Sequence, residues 1–270
     1  MNVLLNRRNN LRSAIAVLTA TLAAALWLGG GARADDGHTI IGTSQGGRLL
    51  VVYHIGSGTV PVFVMGAQHG GPEENTSRLV NQLYFHFDAN RADIPPQIRL
   101  DLMPEGNPDG LVAGSRLYQS GVDPNRNWGG GDWQTDAWDS NGVFRLGLGG
   151  SEPFSEPETR AVRDYVLATR PAMVVNYHSR GGFMFGGREG QTGVLASAYA
   201  TASGYPRPQP SAGGGSSVLS YRATGSMNGW LGREGISGIL IELTNFDDPE
   251  FARNLAGLKA MLQRVAEAAE

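Results

Sequence analysis

The sequence predicts an α/β domain with a mixed, mostly buried β-sheet flanked by helices. Two observations predict it: short apolar runs rich in β-branched residues, and amphipathic helical stretches between and after them. The runs lie at 49–53, 60–65, 98–103, 173–177 and 238–243, each bounded by glycine, proline or polar residues, as buried strands are. Helices are predicted over 76–87, over 156–168 behind the cap-type residue Ser155, and over 249–269. In the last, Phe251, Leu255, Leu258, Leu262 and Val265 recur at helical spacing. Two glycine-rich stretches without a sustained period, 129–154 and 206–217, are expected to be long loops of the kind that edge an active site.

Residues 1–34 read as an export signal. Arg7, Arg8 and Arg12 precede an apolar run from Ala14 to Leu28, and Ala32-Arg33-Ala34 resembles a small-residue cleavage site. The run is short for a membrane anchor and ends in three glycines rather than a basic flank. The paired arginines weakly fit twin-arginine export. An exported chain is expected, periplasmic or secreted, with no membrane anchor once the signal is cleaved. Residues 35–270 then form one catalytic domain of a size that buries a single large core.

The whole chain carries −3, and removing the four arginines of the leader brings the rest to −7. Such a balance argues against a nucleic-acid partner, which needs a basic face. With no cysteine in the sequence, any metal has to be held by nitrogen and oxygen.

Three residues share one position relative to the predicted strands. His69 follows 60–65, His178 closes 173–177 and Glu242 lies near the end of 238–243. Ligands of open α/β sheets gather at the carboxyl ends of strands, so the three can converge. The segment Gly66-Ala67-Gln68-His69-Gly70-Gly71-Pro72-Glu73-Glu74-Asn75-Thr76 sets a histidine on a glycine-rich turn and a carboxylate at a helix start. His69, Glu73 and His178 would make a His₂Glu site with one open position. Alone, the pair also fits a polar loop histidine and an acid at a positive helix N-terminus. Glu242, a carboxylate within an apolar run, needs a partner or a use.

Further motifs follow in order: Asn107-Pro108-Asp109-Gly110; Arg116; Asp123-Pro124-Asn125-Arg126-Asn127-Trp128; Ser155-Glu156-Pro157-Glu158; Asn176-Tyr177-His178-Ser179; Tyr221-Arg222-Ala223-Thr224-Gly225; Ile241-Glu242-Leu243. Together they resemble the zinc metallocarboxypeptidase family of the pancreatic A and B type, in particular its short exported bacterial members. The resemblance implies one Zn²⁺ per chain, held by His69, Glu73 and His178, with Asp123 orienting His69 and Glu242 as general base. It implies Arg116 as oxyanion stabiliser, Asn125 and Arg126 as the grip on a substrate's terminal carboxylate, and Tyr221 as a hydroxyl contact to bound peptide. Asn228 or Met227 falls where the family has its specificity-pocket floor, and neither is a carboxylate suited to basic side chains.

The family's usual ligand spacing is His-x-x-Glu, whereas here Pro72 stands in that place and Glu73 follows one residue later. Gly42-Thr43-Ser44-Gln45-Gly46 fits the serine-hydrolase pattern, but a strand-like run follows Ser44 where a nucleophile elbow needs a helix. The expected function is zinc-dependent removal of C-terminal residues from peptides outside the cytoplasm. The alternatives are a murein peptide amidase or carboxypeptidase, whose partner is a murein peptide with a free carboxylate, and a catalytically inactive peptide-binding relative.

Overall fold

The computed structural model describes residues 37–209, 218–219 and 221–270, all within one compact unit. The predicted export signal and positions 210–217 of the second predicted loop lie outside the described residues. In chain order come β1 (Gly37–Thr43), β2 (Leu49–Ile55), β3 (Val60–Met65), a 3₁₀ turn at Gly71–Glu73 and α1 (Glu74–Ala89). Next are β4 (Ile98–Met103), α2 (Pro108–Ala113), β5 (Ala137–Trp138), β6 (Phe144–Arg145) and α3 (Pro157–Thr169). The chain closes with β7 (Met173–Ser179), β8 (Phe183–Gly186), α4 (Gly190–Ser203), α5 (Met227–Arg233), β9 (Gly238–Leu243) and α6 (Phe251–Glu267).

Seven strands form one mixed sheet in the order β1-β2-β4-β3-β7-β9-β8. The four central strands β4, β3, β7 and β9 run parallel, and β1, β2 and β8 join antiparallel at the margins. Parallel strands covered on both faces need unbroken apolar runs, which is why the central four are readable from sequence. From β3 the chain crosses to β4 on one side, while β7 lies on the other, so a crevice opens beyond the carboxyl ends of β3 and β7.

Side-chain alternation gives each strand two faces. Val62, Val64, Val175, Tyr177, Ile239 and Ile241 enter a core shared with Leu79 and Leu83 of α1, Tyr199 of α4, and Leu258 and Leu262 of α6. Phe63, Met65 and Val174 enter the opposite core, with Val162 of α3 and the rings of Trp128 and Trp230. Asn176 and His178 have the parity of Val174, and Glu242 the parity opposite to Ile241, so all three face away from the first core.

The expectation of an irregular loop over 129–154 fails at β5 and β6, a hairpin whose Trp138 and Phe144 rings meet at 5.4 Å. Two-residue strands are too short to show a period. The strands β1 and β8 and the helix α4 were not expected either. β1 is an edge strand with Ile40 exposed, and α4 buries Leu195, Ala196 and Tyr199 among small residues rather than a regular apolar stripe. Ser44 lies in the turn between β1 and β2, where its Oγ accepts from the N–H of Arg48 at 3.0 Å. A strand, β2, follows the turn as expected, so it forms no nucleophile elbow.

Candidate metal centre

The loop after β3 brings His69 and Glu73 back across the strand ends. Ala67, at φ +43°, donates its N–H to Thr76 Oγ at 2.8 Å, and that hydroxyl donates to the carbonyl of Glu73 at 2.7 Å. A Cβ on Gly70 would stand 2.2 Å from the carbonyl carbon of Gly110, and Gly71 has φ +24°. Both positions therefore need glycine, which lets the loop press against α2. Asn107 caps that helix by accepting from the N–H of Gly110 at 2.8 Å, and its amide donates to the carbonyl of Leu117 at 3.1 Å, which ties down the segment carrying Arg116. The 3₁₀ turn absorbs the extra Pro72. As a result Glu73 is 1% exposed and points inward, while Glu74 is exposed.

Three lone-pair donors converge here. The Nδ1 atoms of His69 and His178 lie 3.1 Å apart. Glu73 Oε1 lies 2.7 Å from His69 Nδ1, and Oε2 lies 3.1 Å from His178 Nδ1. Among the described residues these three form the one cluster of histidine and carboxylate donors close enough to share an ion. Tetrahedral zinc with bonds of about 2.0–2.1 Å spaces its ligand atoms about 3.3 Å apart, so the donor set fits zinc in chemistry, and its separations of 2.7 and 3.1 Å would widen slightly around the ion.

The outer faces of the ligands are fixed by buried partners. His69 Nε2 lies 3.1 Å from Asp123 Oδ1. The other Asp123 oxygen accepts from Arg116 Nε at 3.0 Å, and Oδ1 also accepts from the N–H of Asn125 at 2.8 Å. Burial alone would raise the Asp123 pKa, but Arg116 and His69 hold it well below the usual carboxylate range. Burial opposes ionisation of Glu73 too, and His69 with His178 holds it far below its ordinary value. Glu73 Oε1 accepts from Arg116 Nη1 at 2.8 Å, and Oε2 accepts from the N–H of Ser179 at 3.1 Å. On its outer side His178 Nε2 meets Gln68 Oε1 at 2.9 Å.

Glu242 sits opposite His178 in the parallel register of β7 and β9. A Cβ on Gly181 would lie 2.9 Å from the Cβ of Glu242, so glycine there leaves room beside this carboxylate. The Glu242 residue is partly exposed, yet burial of its carboxyl group pushes the pKa up to about 7, with His178 drawing it down and Glu73 adding to the rise. Asn125 Oδ1 accepts from the N–H of Met227 at 2.9 Å. Arg126 is buried, donating through Nε to the Trp138 carbonyl at 3.0 Å and through Nη1 to that of Asn125 at 2.8 Å. Its guanidinium lies 5.8 Å from the ring centre of Tyr221. Asn228, in the first turn of α5, is partly exposed.

The structure thus brings His69, Glu73, His178, Asp123 and Arg116 into direct contact, sets Glu242 beside them, and links Asn125, Arg126 and Tyr221 in a neighbouring group. Gln68 and Asn176 were missed in the sequence. Asn176 carried a signal, being an amide two residues before His178 within an apolar strand, hence on the same face.

The sequence profile of the zinc carboxypeptidase family, peptidase M14, matches residues 38–258. The chain belongs to the zinc carboxypeptidase family. Carboxypeptidase B of Astacus astacus is 30% identical over 166 residues, which is 52% of this chain and 52% of that relative. Murein peptide amidase A of Escherichia coli K12 is 38% identical over 78 residues, or 27% of this chain and 32% of its own. The chain thus aligns with about half or less of each of these relatives. The crystal structure of murein-tripeptide amidase from Escherichia coli O157 superposes with a TM-score of 0.61 at 22% identity, covering 85% of this chain and 92% of that one. At that identity the likeness speaks to the fold, a seven-stranded mixed sheet between helices.

Proposed function

We propose that this zinc carboxypeptidase family member is an exported carboxypeptidase that hydrolyses the C-terminal peptide bond of peptides outside the cytoplasm. The convergence of His69 Nδ1, His178 Nδ1 and Glu73 on one point, with Glu242 alongside, carries the reading. When bound by these three, zinc polarises a scissile carbonyl and acidifies a water. Glu242 takes a proton from the attacking water and passes it to the leaving amine. Burial raises its pKa above the ordinary carboxylate range, which favours holding that proton until the amine leaves. A cation beside Glu242 favours its ionised form, so the acid limb of kcat/KM is expected below pH 7.

Arg116, already directed at the ligand carboxylate Glu73, supports the oxyanion that forms at the scissile carbonyl. Asn125 and Arg126 hold the terminal carboxylate of the substrate, and the Tyr221 hydroxyl contacts the bound peptide. Burial of Arg126 against the Trp138 and Asn125 carbonyls fixes its orientation before a substrate arrives.

A second reading, a murein peptide amidase or carboxypeptidase, is supported by the 38% identity over 78 residues with murein peptide amidase A. Two substrate sets digested side by side test both: ordinary peptides with free and amidated C-termini, and murein stem peptides. The first reading predicts cleavage of the free-ended ordinary peptides and none of the amidated ones. Cleavage confined to the murein set would replace it with the second.

A further inference from the structure

His178 is held from behind by two buried carboxamides. Gln68, 1% exposed, places Oε1 at 2.9 Å from His178 Nε2. Asn176 Nδ2 donates to the same oxygen at 2.6 Å and also lies 2.9 Å from His178 Nε2, and Gln68 Nε2 donates to the carbonyl of Pro124 at 3.1 Å. A backbone carbonyl only accepts, so the Gln68 amide has its nitrogen toward Pro124 and its oxygen toward His178. The two hydrogens of Asn176 Nδ2 have the Gln68 oxygen and Met227 Sδ, at 3.6 Å, as acceptors, so the Gln68 oxygen is the group that favours a proton on His178 Nε2, leaving the Nδ1 lone pair toward His69 and Glu73. Pro124 also accepts from Trp128 Nε1 at 2.8 Å and directly follows Asp123, the partner of His69 Nε2. One buried turn therefore supplies an acceptor behind both imidazoles, a charged one at His69 Nε2, which Arg116 Nη2 also approaches at 2.8 Å, and a neutral one at His178 Nε2.

We propose that Gln68 is a positioning residue of the metal centre: its side-chain oxygen holds the His178 proton on Nε2 and thereby presents Nδ1 to zinc. The proposal rests on the metal-centre reading given above. Outer partners of ligating histidines set the tautomer and raise ligand basicity, and their loss typically costs about 10–100-fold in metal affinity. A carboxylate at position 68 keeps an acceptor at Nε2, whereas leucine removes it at similar volume.

Zinc affinity, measured by chelator competition on the full chain, tests this in the wild type, Gln68→Leu, Gln68→Glu and His178→Ala. The wild type is expected to bind one zinc, Gln68→Leu to bind about 10–100-fold more weakly, and Gln68→Glu, which keeps the acceptor at Nε2 but loses the donation to Pro124, to bind more tightly than Gln68→Leu. Equal affinity of Gln68→Leu and wild type, or equal losses in Gln68→Leu and Gln68→Glu, overturns the role of Gln68. If His178→Ala binds zinc as tightly as the wild type, it is the centre itself that fails. Should Gln68→Leu not fold, proton NMR of the zinc-loaded chain decides: the His178 Nε2–H signal moves downfield in Gln68→Glu, and an unmoved signal overturns the proposal.

Discussion

Asp101 and Glu73 are both buried carboxylates flanked by histidine and arginine, yet they differ in where the N–H bonds around them point. Asp101, on β4, accepts from Arg99 Nε at 2.7 Å and Nη2 at 2.9 Å, from the Tyr165 hydroxyl at 2.7 Å and from His54 Nδ1 at 2.8 Å. The outer nitrogen of His54 meets the Thr39 hydroxyl at 2.8 Å. Every lone pair there has a proton facing it, so the cluster is closed and ties β1, β2, β4 and α3 together. Around Glu73 the outer imidazole nitrogens lie against Asp123 and Arg116 for His69 and against Gln68 and Asn176 for His178, and the acceptor oxygen behind each ring is what lets the inner nitrogens turn lone pairs toward one another. Composition does not separate an ion-pair cluster from a metal centre; the partners behind the histidines do.

Substitutions at the two carboxylates are expected to act on different quantities. Glu73→Gln removes a charged ligand and is expected to abolish hydrolysis and lower zinc affinity beyond the about 100-fold cost of losing an outer partner, measured by zinc retention on dialysis. Asp101→Asn leaves the Arg99 charge poorly paired and is expected to destabilise the fold by about 3 kcal/mol in urea unfolding. The folded variant keeps its zinc. If Asp101→Asn instead lost zinc while keeping its stability, the contrast between the two clusters would be wrong.

A smaller effect is expected on the acid side. His54, Arg99 and Tyr165 hold the Asp101 pKa below its ordinary value against the opposing effect of burial. A depressed carboxylate contributes stability that is fully present above the unfolded value of about 3.9 and is lost as pH falls through the lower folded value. Unfolding midpoints of the wild type should therefore drop as pH falls below about 4, and more shallowly in Asp101→Asn. Matching slopes in the two would show that Asp101 contributes nothing to this dependence. Smallest of all is Glu74→Gln, expected to change stability by less than about 0.5 kcal/mol and to leave zinc binding and hydrolysis intact. Loss of zinc from this variant would move the ligand to Glu74.

Only the metal-centre side of this contrast was legible in the sequence; nothing in it marked Asp101, Arg99, His54 and Tyr165 as a cluster. The strands β3, β4 and β9 fall on the predicted runs because both of their faces are buried. The edge strand β1 and the hairpin β5–β6 lack that signal, since one exposed face or a length of two residues leaves no apolar run. His69, His178 and Glu242 were readable from their places at strand ends. Glu73 over Glu74 was not settled by spacing, because the outcome depends on a 3₁₀ turn and on how closely Gly70 and Gly71 approach α2. Gln68 was hidden for another reason: its partner is a backbone carbonyl 56 positions away, and no sequence pattern marks that.

The most direct measurement is zinc content and peptide hydrolysis of Glu242→Gln beside the wild type. One zinc per chain in both, with hydrolysis reduced by about 10²–10⁴-fold in the variant, is the result expected of a His69–Glu73–His178 centre served by Glu242. Undiminished hydrolysis, or a chain that no longer holds zinc, would contradict it.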